Sequence, residues 1–243
     1  MAAGSARAGA WPEGAGVTQL ILKYERGRAD EDFGAGGGRS RAPHVADDDL
    51  SLFVEHGLTD RLTFQGQIGW TRGAVGPFES DGRGPLAAGL RWTAYVGAGG
   101  REVISLYAGG VLDGEGRNAA YLLPGQGDHD GEFRVLYGRS ARLFGREAFL
   151  DLQVARLVRS AFADETHVDV TLGCEVARGW LLLLQNYDGD ASTPGRDPRW
   201  AKLEGGVVRR LGGWRVQAGW RATVAGRFTP AEGGPVLAVW RRF

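Results

Sequence analysis

The sequence predicts an all-β protein: a transmembrane, antiparallel, up-and-down β-barrel of about twelve strands. Three observations carry that expectation. Segments of about ten residues alternate apolar and polar side chains, the length that a tilted membrane strand needs. The connections between them alternate long and short along the chain, as in barrels with short turns at one end and long loops at the other. The last stretch, residues 236–243, reads VLAVWRRF. An unpaired apolar edge is a liability, and in lipid only helices and closed barrels satisfy every backbone group, so this strand is expected to pair with the first.

Composition narrows the class. The chain has 243 residues, 29 basic and 29 acidic side chains and a formal net charge of zero. Nucleic-acid binders need a basic face, so none is expected as a partner. Glycine, at 41, is too frequent for a helical protein and lacks the collagen period. A single cysteine, Cys174, excludes an internal disulfide framework and a multi-thiolate zinc site. The longest aliphatic block, LLLL at 181–184, is strand-sized and far short of a membrane helix. Ala6-Arg7-Ala8 and Ala8-Gly9-Ala10 fit a small-x-small cleavage pattern. Residues 1–10 are therefore expected to be the end of a signal peptide or a disordered leader, and residues 11–243 one barrel domain.

Each element follows from alternation. The first strand, 17–25, sets Thr18, Leu20, Leu22 and Tyr24 against Gln19, Lys23 and Glu25. A polar, glycine-rich loop, 26–48, separates it from strand 49–57, where Leu50, Leu52 and Val54 oppose Asp49, Ser51 and Glu55. Strand 62–71 alternates most cleanly, with Leu62, Phe64, Ile68 and Trp70 facing away from Thr63, Gln65, Gln67 and Thr71. Further strands are expected at 85–95, 102–112, 132–143, 148–158, 167–176, 180–187, 200–211, 214–225 and 235–243. The one at 132–143 fits only with a phase-resetting bulge at Gly138, which would keep Arg139 off the lipid face. Connections at 26–48, 72–84, 113–131, 159–166, 188–199 and 226–234 are long; those at 57–61, 96–101, 144–147, 177–179 and 211–213 are short. With both termini on the short-turn side, Trp180, Trp214 and Phe243 form an inner aromatic belt, and Trp70, Tyr187 and Trp200 an outer one.

The terminal Phe243, its alternating strand and the GLTDRL turn at 57–62 resemble Gram-negative outer-membrane β-barrels. They are similar in particular to the poorly characterised proteobacterial proteins described as transporters or porin-like. The resemblance implies a bacterial outer-membrane protein with a signal peptide, short periplasmic turns and external loops. Its expected partners are outer-membrane lipids, lipopolysaccharide and the assembly machinery that reads the Phe243 strand. One residue departs from the pattern: Arg241 stands where the closing signal is usually apolar, at a height from which an arginine can snorkel.

Chemistry is expected on the inward faces. Acidic groups come from Glu25, Asp49, Glu55, Asp151, Asp169 and Glu175, and basic groups from Lys202, Arg210, Arg215, Arg221 and Arg242. Lys23, Arg91 and Glu204 complete the expected lining. A basic wall facing an acidic one gives a transverse field of the kind channels use for selectivity. The leading reading is a narrow passive channel for small hydrophilic or anionic solutes. The alternative is a sealed barrel whose loops contact lipopolysaccharide or a partner, since a width of twelve strands decides neither. The third is a rim hydrolase built on Ser160 and His167, which lacks an orienting partner. Asp128-His129-Asp130, Asp30-Glu31-Asp32 and Asp47-Asp48-Asp49 read as solvated loop segments rather than catalytic or calcium sites. Neither metal nor cofactor is expected.

Overall fold

The computed structural model describes residues 9–115, 129–160, 163–193 and 195–243. The end of the signal-like stretch, 6–8, and Asp128 lie outside them. Twelve strands form the wall: β1 (Thr18–Phe33), β2 (Arg39–Gly57), β3 (Leu62–Val75), β5 (Leu86–Val96), β6 (Glu102–Leu112) and β7 (His129–Leu143), then β8 (Arg146–Val158), β9 (Glu165–Ala177), β10 (Trp180–Ala191), β11 (Arg199–Leu211), β12 (Trp214–Arg227) and β14 (Gly233–Arg242). Two short strands stand beside the wall: β4 (Phe78–Arg83) folds back on β3, and β13 (Thr229–Pro230) pairs with the far end of β1. Every pairing is antiparallel between neighbours, and β14 closes onto β1 from Gln19↔Arg242 to Arg28↔Gly233. Phe243 and Thr18 exchange the last ladder bonds, at 2.9 and 3.3 Å.

The apolar half of each strand points away from the barrel axis. Leu22, Leu50, Ile68, Leu90, Leu106 and Val135 keep large exposed surfaces, as do Val154, Leu172, Leu184, Val207, Val216 and Leu237 on the other six wall strands. Apolar exposure on every strand is foreign to a soluble monomer and is what acyl chains require. The chain therefore spans a membrane as a closed all-β barrel, in the architecture of the bacterial outer membrane.

Several expectations change. The polar stretch 26–48 is mostly strand, with β1 and β2 running on to Phe33 and from Arg39. Cross-strand partners of opposite charge, Arg26↔Asp48 and Glu31↔Arg41, stabilise a ladder whose faces need no apolar side chains. Asp47, Asp48 and Asp49 consequently alternate faces instead of clustering. Beyond residue 71, β3 and β4 form a hairpin in place of a loop. No bulge forms at Gly138, for β7 keeps unbroken register with β6 and β8. Arg139 stays on the outer face near the short-turn end, where its long side chain reaches the interface. Tyr187 and Trp200 leave the proposed outer belt: they share the inward phase of Leu181 and Leu183 and of Lys202, while Trp70 faces out.

Candidate functional site: the barrel lumen

The inward faces divide into a closed end and an open one. At the short-turn end, residues 9–16 run inside the barrel. Ala10 donates its N–H to Asp151 Oδ2 at 2.6 Å, and Ser105 Oγ donates to the Ala10 carbonyl at 2.7 Å. Arg91 Nη2 donates to the Trp11 carbonyl at 2.7 Å, and Glu13 N–H to Thr63 Oγ1 at 3.2 Å. Arg242 pairs with Glu13 at 2.8 Å, and Gly16 N–H reaches the Gly57 carbonyl at 2.8 Å. The Trp11 ring meets Phe149 edge-on at 6.2 Å and joins a buried cluster with Val103, Tyr107, Leu136, Leu181, Leu183 and Val208. An apolar core thus forms within a polar barrel, between its wall and its own amino-terminal segment.

Glycine makes this possible at one position above all. A Cβ on Gly138 would sit 2.8 Å from the Trp11 ring and 2.9 Å from Val103, so only a bare backbone lets that ring lie against β7. The same device recurs across the lumen: Gly173 carries the Phe149 ring and Gly189 the Trp200 ring, each pair directly opposite in register.

The predicted lining residues all face inward, and the structure joins most of them into local pairs. Arg91 is fully buried and meets Glu55 at 2.5 Å, with Gln65 and Gln19 on the same carboxylate. Lys23 lies 3.0 Å from Glu25 and 3.4 Å from Glu204; Arg221 lies 2.5 Å from Glu25 and 2.7 Å from Glu204. Tyr187 packs its ring against both cations. Lys202 pairs with Glu232 at 3.0 Å and Arg210 with Glu175 at 3.7 Å. Arg215 stands opposite Arg210, and Arg215, Arg210 and Arg242 share a small recess at the periplasmic rim with Trp240. Asp151 anchors the inner segment, and Asp169 sits on β9 two residues from His167. The transverse field between two walls is replaced by neutralisation in place, because Glu25, Glu204, Glu232 and Glu175 lie on the same flank as the bases they meet.

Above this level the lining is partly open. The side chains of Lys23, Glu25 and Arg221 keep 21, 24 and 23% of their surface open. Sequence reading missed the outer half of the lining. Arg134 stacks on Tyr107 at 3.8 Å and pairs with Glu132 at 3.2 Å. Arg159, buried, is held by Glu165 at 2.6 Å and by Asp113 and Asp130 at 3.1 Å. The signal is the period-two phase of β7 to β9: Glu132 and Arg134 lie within the expected strand 132–143, whereas Asp113, Asp130, Arg159 and Glu165 lie in stretches whose polarity reads as loop.

The remaining candidates resolve differently. His167 lies on β9, bonded to Glu165 at 2.7 Å and edge-on to Trp200 at 5.7 Å. Ser160 is exposed and offers its backbone N–H to Asp130, so the two do not make a nucleophile–base pair among the described residues. His129 points outward, away from Asp130. Asp30 bonds His44 at 2.9 Å. Among the described residues no group of three or more acidic, histidine or cysteine side chains is arranged to hold a metal.

No family profile matches the chain, and no curated protein matches it. Among solved structures, an outer membrane channel from Pseudomonas putida aligns over 100% of both chains at 14% identity, with a TM-score of 0.78. The translocator domain of the autotransporter NalP from Neisseria meningitidis covers 96% of this chain and 90% of its own at 13% identity, with a TM-score of 0.49. The KdgM porin covers 92% and 99% at 9% identity, also with a TM-score of 0.49. At such identities the first likeness shows the fold alone: the chain has the structure of a twelve-stranded outer-membrane barrel.

Proposed function

We propose that the chain is a narrow outer-membrane channel for small hydrophilic solutes, shut on its periplasmic side by residues 9–16. The carrying observation is the contrast between the two halves of the lumen. Its middle part is lined by charged side chains that remain partly open to solvent, whereas its inner end is filled by a segment held through a few hydrogen bonds and one tryptophan. A barrel meant only as a scaffold has no need of a solvated, ion-lined vestibule. The bases of the last strands support no strong preference for anions, since Lys23, Lys202, Arg210 and Arg221 each sit beside a carboxylate. Binding to lipopolysaccharide and delivery by the assembly machinery through the Phe243 strand belong to the same proposal, supported by the fold and by Phe243 standing exposed at the closing seam.

Planar-bilayer recording tests the reading. The full chain is expected to show small, flickering currents, and a variant lacking residues 9–16 steady and larger ones with little dependence on ion sign. Silence from both, in protein shown to be folded, leaves the sealed-barrel alternative.

A further inference from the structure

Where the apolar belt ends on the outer surface of β9 to β12, at the long-connection end, the wall is hollowed into a groove of about 470 Å3. Its floor is apolar, from Val168, Ala201 and Ala225, and its rim is charged, from Asp188, Asp190, Arg199 and Arg227. The rim is laid out in register. Asp190 is opposite Arg199 on β11, and Arg199 is opposite Arg227 on β12. Like charges directly opposite on adjacent strands destabilise a sheet. Three other outward arginines at this end have partners: Arg26 and Arg28 meet Asp48, and Arg156 meets Asp164 at 2.8 Å. Arg199 and Arg227 meet no carboxylate within ion-pair distance among the described residues, and Arg227 Nε and Asp188 Oδ1 are buried without a hydrogen-bond partner there. Gly189 and Trp200 contribute only to the wall behind the groove, for the Trp200 ring lies on the lumenal face of Gly189.

An unmatched pair of guanidinium groups at the edge of the hydrocarbon calls for an anion that arrives with its own apolar tail. Guanidinium groups bind phosphate bidentately, and basic recesses at membrane boundaries take lipid headgroups. The two aspartates call in turn for N–H or O–H donors beside that phosphate. We infer that this groove seats the headgroup of a phosphorylated glycolipid of the outer leaflet, of the lipid A kind. Its phosphate lies on Arg199 and Arg227, its amino-sugar donors face Asp188 and Asp190, and its first acyl carbons rest on Val168, Ala201 and Ala225. This site is independent of conduction, since every contact is on the lipid side of the wall.

Native mass spectrometry of the full chain in mild detergent tests the assignment, with bisphosphorylated lipid A, the same lipid dephosphorylated, phosphatidylglycerol and inorganic phosphate as probes. Bisphosphorylated lipid A is expected to bind one to one, and the dephosphorylated lipid and phosphatidylglycerol about tenfold or more weaker. The double variant R199Q/R227Q should lose about tenfold in affinity, while R156Q, which breaks a matched pair, should change it less than about twofold. The heat-shifted gel mobility of each variant confirms a folded barrel. Equal binding by the double variant, equal binding of phosphatidylglycerol, or displacement of lipid A by millimolar inorganic phosphate would each overturn the glycolipid site.

Discussion

A glycine and an arginine decide whether the inner end of the lumen stays shut. Gly138 has no side chain to give up to Trp11, so Gly138→Ala places a methyl 2.8 Å from that ring. Overpacking of this kind costs about 1–3 kcal/mol, and the ring, being on the tethered segment, is what moves. The expected outcome is a folded barrel with raised single-channel conductance. Arg91 is the other control point, because it bonds Glu55 and the Trp11 carbonyl while fully buried. Removing one partner of a buried pair costs about 3–5 kcal/mol through the charge left behind. Arg91→Gln should therefore lower the urea midpoint for refolded protein in vesicles, and adding Glu55→Gln should restore part of the loss. A double variant no better than the single would show that Arg91 acts through the inner segment alone. Neither residue could be assigned this role from sequence. Gly138 looked like a bulge, since nothing in the letters says that an aromatic ring from 127 residues earlier will rest on it.

At the scale of elements, what the sequence made legible was phase. Alternation placed the membrane-spanning parts of all twelve wall strands within a few residues and pointed the lipid faces of the first three correctly, because one register error would turn every apolar side chain inward. It failed where both faces become polar, as in the β1–β2 hairpin, where cross-strand charge pairs replace hydrophobic contrast. It failed also for Tyr187 and Trp200, whose aromatic character suggested an interface although their parity said lumen. One pH effect belongs at this scale. Asp164 lies immediately before β9, where the Arg159 N–H at 3.0 Å, and then Arg156, hold its carboxyl below the usual range. A carboxyl lowered in the folded state lends its stability above its unfolded value and withdraws it as pH falls through the folded one. The β8–β9 connection should hence loosen on acidification below the normal carboxylate range, seen as faster hydrogen exchange at the Arg159 amide; an Asp164→Asn variant should exchange quickly at every pH.

The whole molecule combines a membrane-facing shell with an interior that is neutral by local pairing. The chain's zero net charge anticipated the balance but not its geometry: bases and acids distributed by strand number suggested opposed walls, and closure of β14 on β1 instead gathers Glu25 beside Arg221. A barrel neutralised this way should pass small cations and anions at similar rates. Glu204→Gln leaves Lys23 and Arg221 sharing one carboxylate, Glu25, and should shift the reversal potential of the opened channel toward anion selectivity in a salt gradient. An unchanged reversal potential would place the narrowest point elsewhere than this cluster.

The placement of Trp11 gives the protein a built-in optical reporter. Of eight tryptophans, Trp70, Trp92, Trp180, Trp214 and Trp220 look out at lipid, whereas Trp11 and Trp200 are enclosed and Trp240 packs against the inner cluster. Brominated acyl chains should extinguish emission from the first five and spare the rest, and water-soluble acrylamide added afterwards should reach Trp11 only in molecules whose inner segment has swung free. The residual fluorescence would then count unlatched barrels in a vesicle suspension with no label attached.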